Sequence, residues 1–148
     1  MARAPGAAQV TLHYLSTIDV LIVAEPACGE TELVVRDVNS LESAVHRPRA
    51  EMYGQQVHPD LIDKAAALLQ ALAINHPLFD GNKRTAWLSC VTFLALNGVD
   101  LRPDIDAAER LVIAVTTGEI RDTRDIAQGL RNLVEDPLLG ADPPPGSC

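Results

Sequence analysis

Aromatic side chains account for only 3% of the 148 residues, two Phe, two Tyr and one Trp. The interior must therefore be built from Leu, Val, Ile and Ala, and stacking platforms for single-stranded nucleic acid are scarce. Cysteine is also sparse. Cys28, Cys90 and Cys148 are scattered, odd in number and without CxxC spacing, which excludes a zinc ribbon and speaks against a disulfide framework. They read as free thiols, with Cys90 in the core. Positive charge is in deficit, with 12 Lys and Arg against 20 Asp and Glu, a formal net charge of -8. That sign is opposite to a general phosphate-backbone binder, so no direct nucleic-acid partner is expected and any nucleotide contact must be local. Long apolar runs are missing as well. Stretches such as Val20 to Ala24 and Leu111 to Val115 fall far short of the roughly 20 residues that cross a bilayer. The start, MARAPGAAQV, has no apolar segment of a secretory signal. No membrane association and a cytoplasmic location are the expectation.

What is present is an ordinary globular balance, 47% hydrophobic and 22% charged, in a length typical of one domain. Residues 1–9 and the proline-rich stretch 136–148 read as flexible tails around a single domain at 10–135. Val10 to Tyr14 alternates in polarity and suggests a short strand. Ser16 to Asp19 has the spacing of a capping box opening a helix that Pro26 closes. Asn39 and Ser40 are candidate caps for a short helix at Leu41 to His46, stopped before Pro48. Arg49 to Val57 reads as a loop or a short hairpin.

The strongest periodicity starts at Pro59 and runs through Leu61, Ile62, Ala65, Leu68, Leu69 and Leu72 to about Asn75-His76-Pro77. A second strong helix follows Asp80-Gly81-Asn82, with Trp87, Leu88, Val91, Leu94 and Ala95 on one stripe and Asn97-Gly98 as its stop. Being apolar on several sides, it is expected to be the central helix of an all-α core. Two further helices are predicted, Asp106 to Thr117 before Gly118 and Thr123 to Val134 behind an Asp122 cap, with Ile126, Leu130 and Leu133 inward.

The chemistry concentrates in His76-Pro77-Leu78-Phe79-Asp80-Gly81-Asn82-Lys83-Arg84-Thr85, between the two strongest helices. A helix start offers unpaired N–H groups and partial positive charge. Gly81 permits close approach of a ligand, and Lys83 and Arg84 add full charges, together an anion cradle. Asp80 can hold a hard divalent cation, and the His76 imidazole suits proton abstraction near neutral pH. The set fits phosphoryl or nucleotidyl transfer. On spacing alone, a plain turn with a solvated basic first turn carries about even weight. Trp87 reads as core rather than ligand contact. His13, His46 and His58 lack partners at metal-ligand spacing and read as surface or loop residues. Ser89 has no adjacent base, and neither GxxxxGK[ST] nor GxGxxG occurs.

The string HPLFDGNKRTAW resembles the signature of the Fic/Doc superfamily: His-x-Phe-x-(Asp or Glu)-Gly-Asn-Gly-Arg-x-x-Arg in the Fic branch, His-x-Phe-x-Asp-x-Asn-Lys-Arg in the Doc (death-on-curing) branch. His76, Asp80, Asn82, Lys83 and Arg84 fall on the Doc pattern. Lys83 stands where a Fic adenylyltransferase has its second glycine, and Trp87 where it has its last arginine. SLESAVHRP at 40–48, the helix at 61–74, FLALNGVDL at 93–101 and VTTGEI at 115–120 extend the resemblance over most of 10–135. One departure is that Leu78 occupies the place of the family's packing Phe, with Phe79 after it.

The resemblance implies a compact helical bundle with a small β-hairpin flap at Arg49 to Val57, and the toxin of a bacterial toxin–antitoxin pair. That toxin would be a protein kinase transferring the γ-phosphate of ATP to a threonine of elongation factor Tu. His76 would be the general base and Asp80 would help bind Mg²⁺. Gly81, Asn82, Lys83 and Arg84 would hold the triphosphate. No Glu is followed by Gly or Asn, so the inhibitory helix string of many Fic proteins is absent, and restraint would come from a separate antitoxin resembling Phd. AMP transfer to a protein hydroxyl and a non-catalytic binding module are the alternatives.

Overall fold

The structure, a computed structural model, describes residues 11–27 and 32–135. The expected tails lie outside those residues. Six helices follow in order: α1 Thr17–Ala27, α2 Val38–His46, α3 Leu61–Asn75, α4 Asn82–Leu96, α5 Ile105–Thr117 and α6 Thr123–Glu135. Between α2 and α3 come a 3₁₀ turn, Arg47–Arg49, and a hairpin of β1 Glu51–Met52 and β2 Gln55–Gln56. The fold is the expected all-α bundle with a small β-hairpin.

Local chemistry accounts for most boundaries. At α1 the capping box closes in both directions: the Asp19 N–H donates to Ser16 Oγ (3.1 Å) and the Ser16 N–H to Asp19 Oδ2 (2.8 Å). Pro26 lies inside the last turn of α1 rather than beyond it, since the helix has only one residue left to run. α2 is capped by Asp37, not by Asn39 or Ser40. The Asp37 carboxylate accepts from both of their N–H groups and from Ser40 Oγ, and these bonds, the Ser40 hydroxyl foremost, hold its pKa below the ordinary value. α3 begins at Leu61 behind Asp60, two residues after Pro59. α4 ends in a Schellman motif, with the Val99 N–H on Leu94 O (2.8 Å) and the Gly98 N–H on Ala95 O (3.1 Å). α5 starts one residue before the expected Asp106, because Asp104 accepts from the Ala107 N–H and caps it.

The strand suggested at Val10 to Tyr14 does not form over the described residues 11–14. Asn97 takes a strand's place there. Its side-chain amide pairs with both backbone groups of His13, at 2.8 Å and 2.9 Å.

The central helix is α3 and not α4, which corrects the sequence expectation. α3 touches α2, α4, α5, α6 and the 3₁₀ turn, and the run from Lys64 to Leu69 is buried without interruption. The alanines at 65–67 let neighbours approach from several sides at once. α4 is one-sided. It buries Ala86, Ser89, Cys90, Phe93 and Leu94 while Ala95 and Leu96 face solvent; of the expected stripe Leu94 is in the core, Trp87 and Val91 pack at its margin, and Ala95 is exposed. Cys90 is a buried free thiol, and desolvation pushes its pKa up to about 12. Ile126 and Leu130 of α6 are fully buried, with Leu133 packed at the margin. Burial of each such side chain contributes about 1.5–3 kcal/mol. His58 is buried rather than at the surface. Desolvation is the main cause of its lowered pKa, and the Arg47 charge adds to it.

Candidate active site

The loop after α3 is shaped by a proline. Pro77 disfavours helical geometry at the residue before it, and His76 turns into the left-handed region, φ 48° and ψ 58°, ending α3. Such a conformation is uncommon for a residue with a Cβ, though His tolerates it better than most. The neighbouring segment 34–37 holds the loop in place. The Arg36 guanidinium donates to Asn75 O (2.8 Å) and His76 O (2.7 Å), two carbonyls left open at the helix end. The Arg36 and Asp37 N–H groups donate to Pro77 O, and Phe79 N–H to Val34 O. Val35 and Leu78 face each other in an antiparallel bridge. Leu78 is 1% exposed and Phe79 68%. Leu78 thus fills the packing position, and the departure at 78 and 79 leaves the loop seated on the core.

α4 then starts at a glycine. Gly81 has φ 80° and ψ 14°, a geometry glycine adopts without steric cost, and its carbonyl accepts the Thr85 N–H at 2.9 Å. The Asn82 side chain closes the turn. Its Oδ1 accepts from Leu78 N–H (2.9 Å) and its Nδ2 donates to Leu78 O (2.8 Å). Asn82 therefore shapes the loop with its side-chain amide. The Asp80 carboxylate accepts from the Gly81 N–H at 2.8 Å. Lys83 and Arg84 are exposed on the first turn, with Arg84 Nη1 3.4 Å from Ala27 O at the end of α1.

These groups line one cleft of about 740 Å³, a size suited to a small-molecule ligand. His76, Asp80, Gly81, Asn82, Lys83 and Arg84 all lie on it, so every residue singled out in the motif is brought together. Trp87 lines it too, half-buried, so it serves both core and cleft. The opposite wall belongs to α5, with Ile105, Ala108, Glu109, Val112, Ile113 and Thr116. Sequence reasoning did not assign that wall, nor the Arg36 clamp. One signal was legible: Ile105 sits between Asp104 and Asp106 off the helix's buried stripe, and it is 80% exposed.

The model of the family described as Fic/DOC matches residues 10–94. The chain belongs to the Fic/DOC family. Its Doc branch is marked by two relatives. Toxin Doc of Mycolicibacterium smegmatis is 54% identical over 107 residues, 71% of this chain and 82% of that protein. Protein kinase doc of Escherichia phage P1 is 34% identical over 97 residues, 66% of this chain and 75% of that protein. In this Fic/DOC chain the family match covers the motif and most of α4, while the α5 wall lies outside it.

The Fic/DOC cleft offers an exposed imidazole, two carboxylates, Asp80 and Glu109, and a helix start carrying two cations. No group of three or more His, Cys, Asp or Glu side chains at metal-binding spacing occurs among the described residues. The donor set does not suit a cation held by protein alone. Its carboxylate at Asp80 would suit Mg²⁺, which commonly takes one or two carboxylates and completes its shell with oxygens from a ligand and water. No helix of the described residues is long and apolar enough to cross a membrane.

Proposed function

We propose that this protein is the toxin of a bacterial toxin–antitoxin pair and transfers the γ-phosphate of ATP to a Ser or Thr hydroxyl of a translation protein such as elongation factor Tu. The observation that carries the reading is the convergence of His76, Asp80 and the cationic start of α4 on one cleft. The two relatives, one named a toxin and the other a protein kinase, support it.

In this mechanism the His76 imidazole accepts the proton of the target hydroxyl. The freed oxygen forms a bond to the γ-phosphorus as the bond to the β-phosphate oxygen breaks and ADP leaves. Lys83, Arg84 and the open N–H groups of the first turn of α4, from Asn82 on, hold the phosphates and offset their charge, with Gly81 leaving room for their approach. Mg²⁺, held through Asp80, would neutralise phosphate charge when bound. The β1–β2 hairpin is the flap. Among the described residues its two strands pair only with each other, leaving an outer edge on which an extended target segment can add as a strand. Restraint comes from an antitoxin resembling Phd, and the site of action is the cytoplasm.

The test is transfer of label from ATP carrying it at the α- or the γ-phosphate, with Mg²⁺ and purified elongation factor Tu or a bacterial lysate, after removal of any co-purifying antitoxin. Label from the γ position alone is expected. Label from the α position alone would make the protein an AMP transferase, and transfer from neither would favour a binding module.

A further inference from the structure

Lys64 is among the largest fully buried side chains of the described residues, 1% exposed near the start of α3. A buried ammonium is costly unless its donors are satisfied. It has three donors, and three acceptors surround it: Pro48 O at 3.1 Å, His58 O at 2.7 Å and the Gln56 side-chain oxygen. None of these is a carboxylate. They come from the turn that leads into the hairpin, from β2 itself and from the segment that leads out. The one cation therefore grips both stems of the hairpin and its second strand.

An aromatic ring reinforces the grip. Tyr14 lies with its ring centroid 5.9 Å from Lys64 Nζ and 4.5 Å from the Arg49 guanidinium, and it also stacks on Phe93 of α4. The hairpin beyond this root has strands of two residues each, all exposed. An isolated hairpin of that size is marginal in water. Its own pose must be set where it joins the body, and the groups that join it there converge on Lys64. A methionine of similar length would fill the volume without a desolvation penalty, so stability alone does not call for the charge.

We propose that Lys64 is the positioning residue of the hairpin: its buried ammonium fixes the hairpin's pose on the body and thereby sets the affinity for the protein substrate. This rests on the hairpin being the flap of the proposed kinase. Lys64 lies on none of the surfaces that line the cleft, so its effect falls on the protein substrate and not on the nucleotide.

The test compares wild type, Lys64→Met and Gln56→Ala in the full chain. Gln56 is exposed on β2, so its replacement removes one acceptor without touching the core, and it stands in if Lys64→Met does not fold. The first readout is amide hydrogen exchange at Val57, whose N–H donates to Ala50 O at 2.9 Å across the hairpin base. Loss of a charge-assisted bond is expected to speed that exchange on the order of tenfold in Lys64→Met, and less in Gln56→Ala. The second readout is steady-state phosphate transfer to purified elongation factor Tu, where KM for the protein should rise on the order of tenfold while KM for ATP stays put. Unchanged Val57 exchange in both variants overturns the proposal. So does a fall in kcat with KM for the protein unaltered, which would mark a merely structural lysine. A wild-type protein that transfers nothing refutes the kinase reading instead, and the exchange comparison then still decides whether Lys64 holds the hairpin.

Discussion

Replacing His76 by glycine should separate stability from chemistry in opposite directions. The residue sits at φ 48° and ψ 58°, where the Cβ of an L-residue costs about 1–2 kcal/mol. Glycine escapes that cost and loses about 0.5–1 kcal/mol more backbone entropy on folding. The side chain is exposed, so little packing is forfeited. The balance favours His76→Gly by about 0.5–1 kcal/mol over wild type. His76→Ala keeps the strain without the ring and should fall below the glycine variant by about 1 kcal/mol, the reverse of the order inside a helix. For a chain of this size that corresponds to about 2–4 °C in Tm, which calorimetry on the three proteins resolves. The same preparations should lose phosphate transfer by about 10²–10⁴-fold, the typical contribution of a general base. A glycine variant melting at or below the alanine variant would refute the strain argument. Transfer that survives in either variant would refute the role of His76 as base.

Three further outcomes are expected. Asn82→Ala removes the amide that serves both backbone groups of the buried Leu78 and should lower stability by about 1–3 kcal/mol in denaturant titration; an unchanged midpoint would show that water takes over both bonds. In Gly129→Ala the new Cβ would stand 2.9 Å from Leu111 Cδ1. The helix-propensity gain of about 1 kcal/mol is then outweighed by overpacking of about 1–3 kcal/mol, and a rise in the urea midpoint would contradict this. Cys90, buried with its thiol pushed up to about 12, should stay unlabelled by a thiol reagent at pH 8 and react once guanidinium unfolds the chain. Peptide mapping by mass spectrometry reads the site directly, and rapid native labelling would mean that α4 opens locally.

Much of the helical framework was legible because its signals act over a few residues. The Ser16–Asp19 box, the Asn97-Gly98 stop and the Asp122 start are all local rules of backbone geometry and capping. The errors had tertiary causes. Val10 to Tyr14 alternates like a strand, yet its partner is a side chain 84 positions away, Asn97 on His13. α4 is apolar on several sides in sequence, yet it is the alanines of α3 that let four helices close around one element. His58 carries no pattern that announces burial. Its carbonyl accepts from Lys64, a contact set by α3 and not by its own neighbours in the chain. The candidate site was legible on one side only. The motif from His76 to Arg84 is contiguous in sequence and lies along one wall of the cleft, whereas the α5 wall announces itself only through Ile105, and Arg36, 40 positions from the carbonyl it holds, has no local signature.

The sequence by itself determined the helix starts and stops and the succession of imidazole, carboxylate and cations in the turn before α4. Caps, prolines and glycines act through dihedral angles and hydrogen bonds among neighbours in the chain, and these are the same in any fold. Only the tertiary structure decided that α5 faces that turn across a cleft, that Arg36 braces His76, and that Lys64 is buried under the hairpin. Each of these depends on desolvation and packing between segments far apart in the chain, and neither exists until the chain has closed around α3.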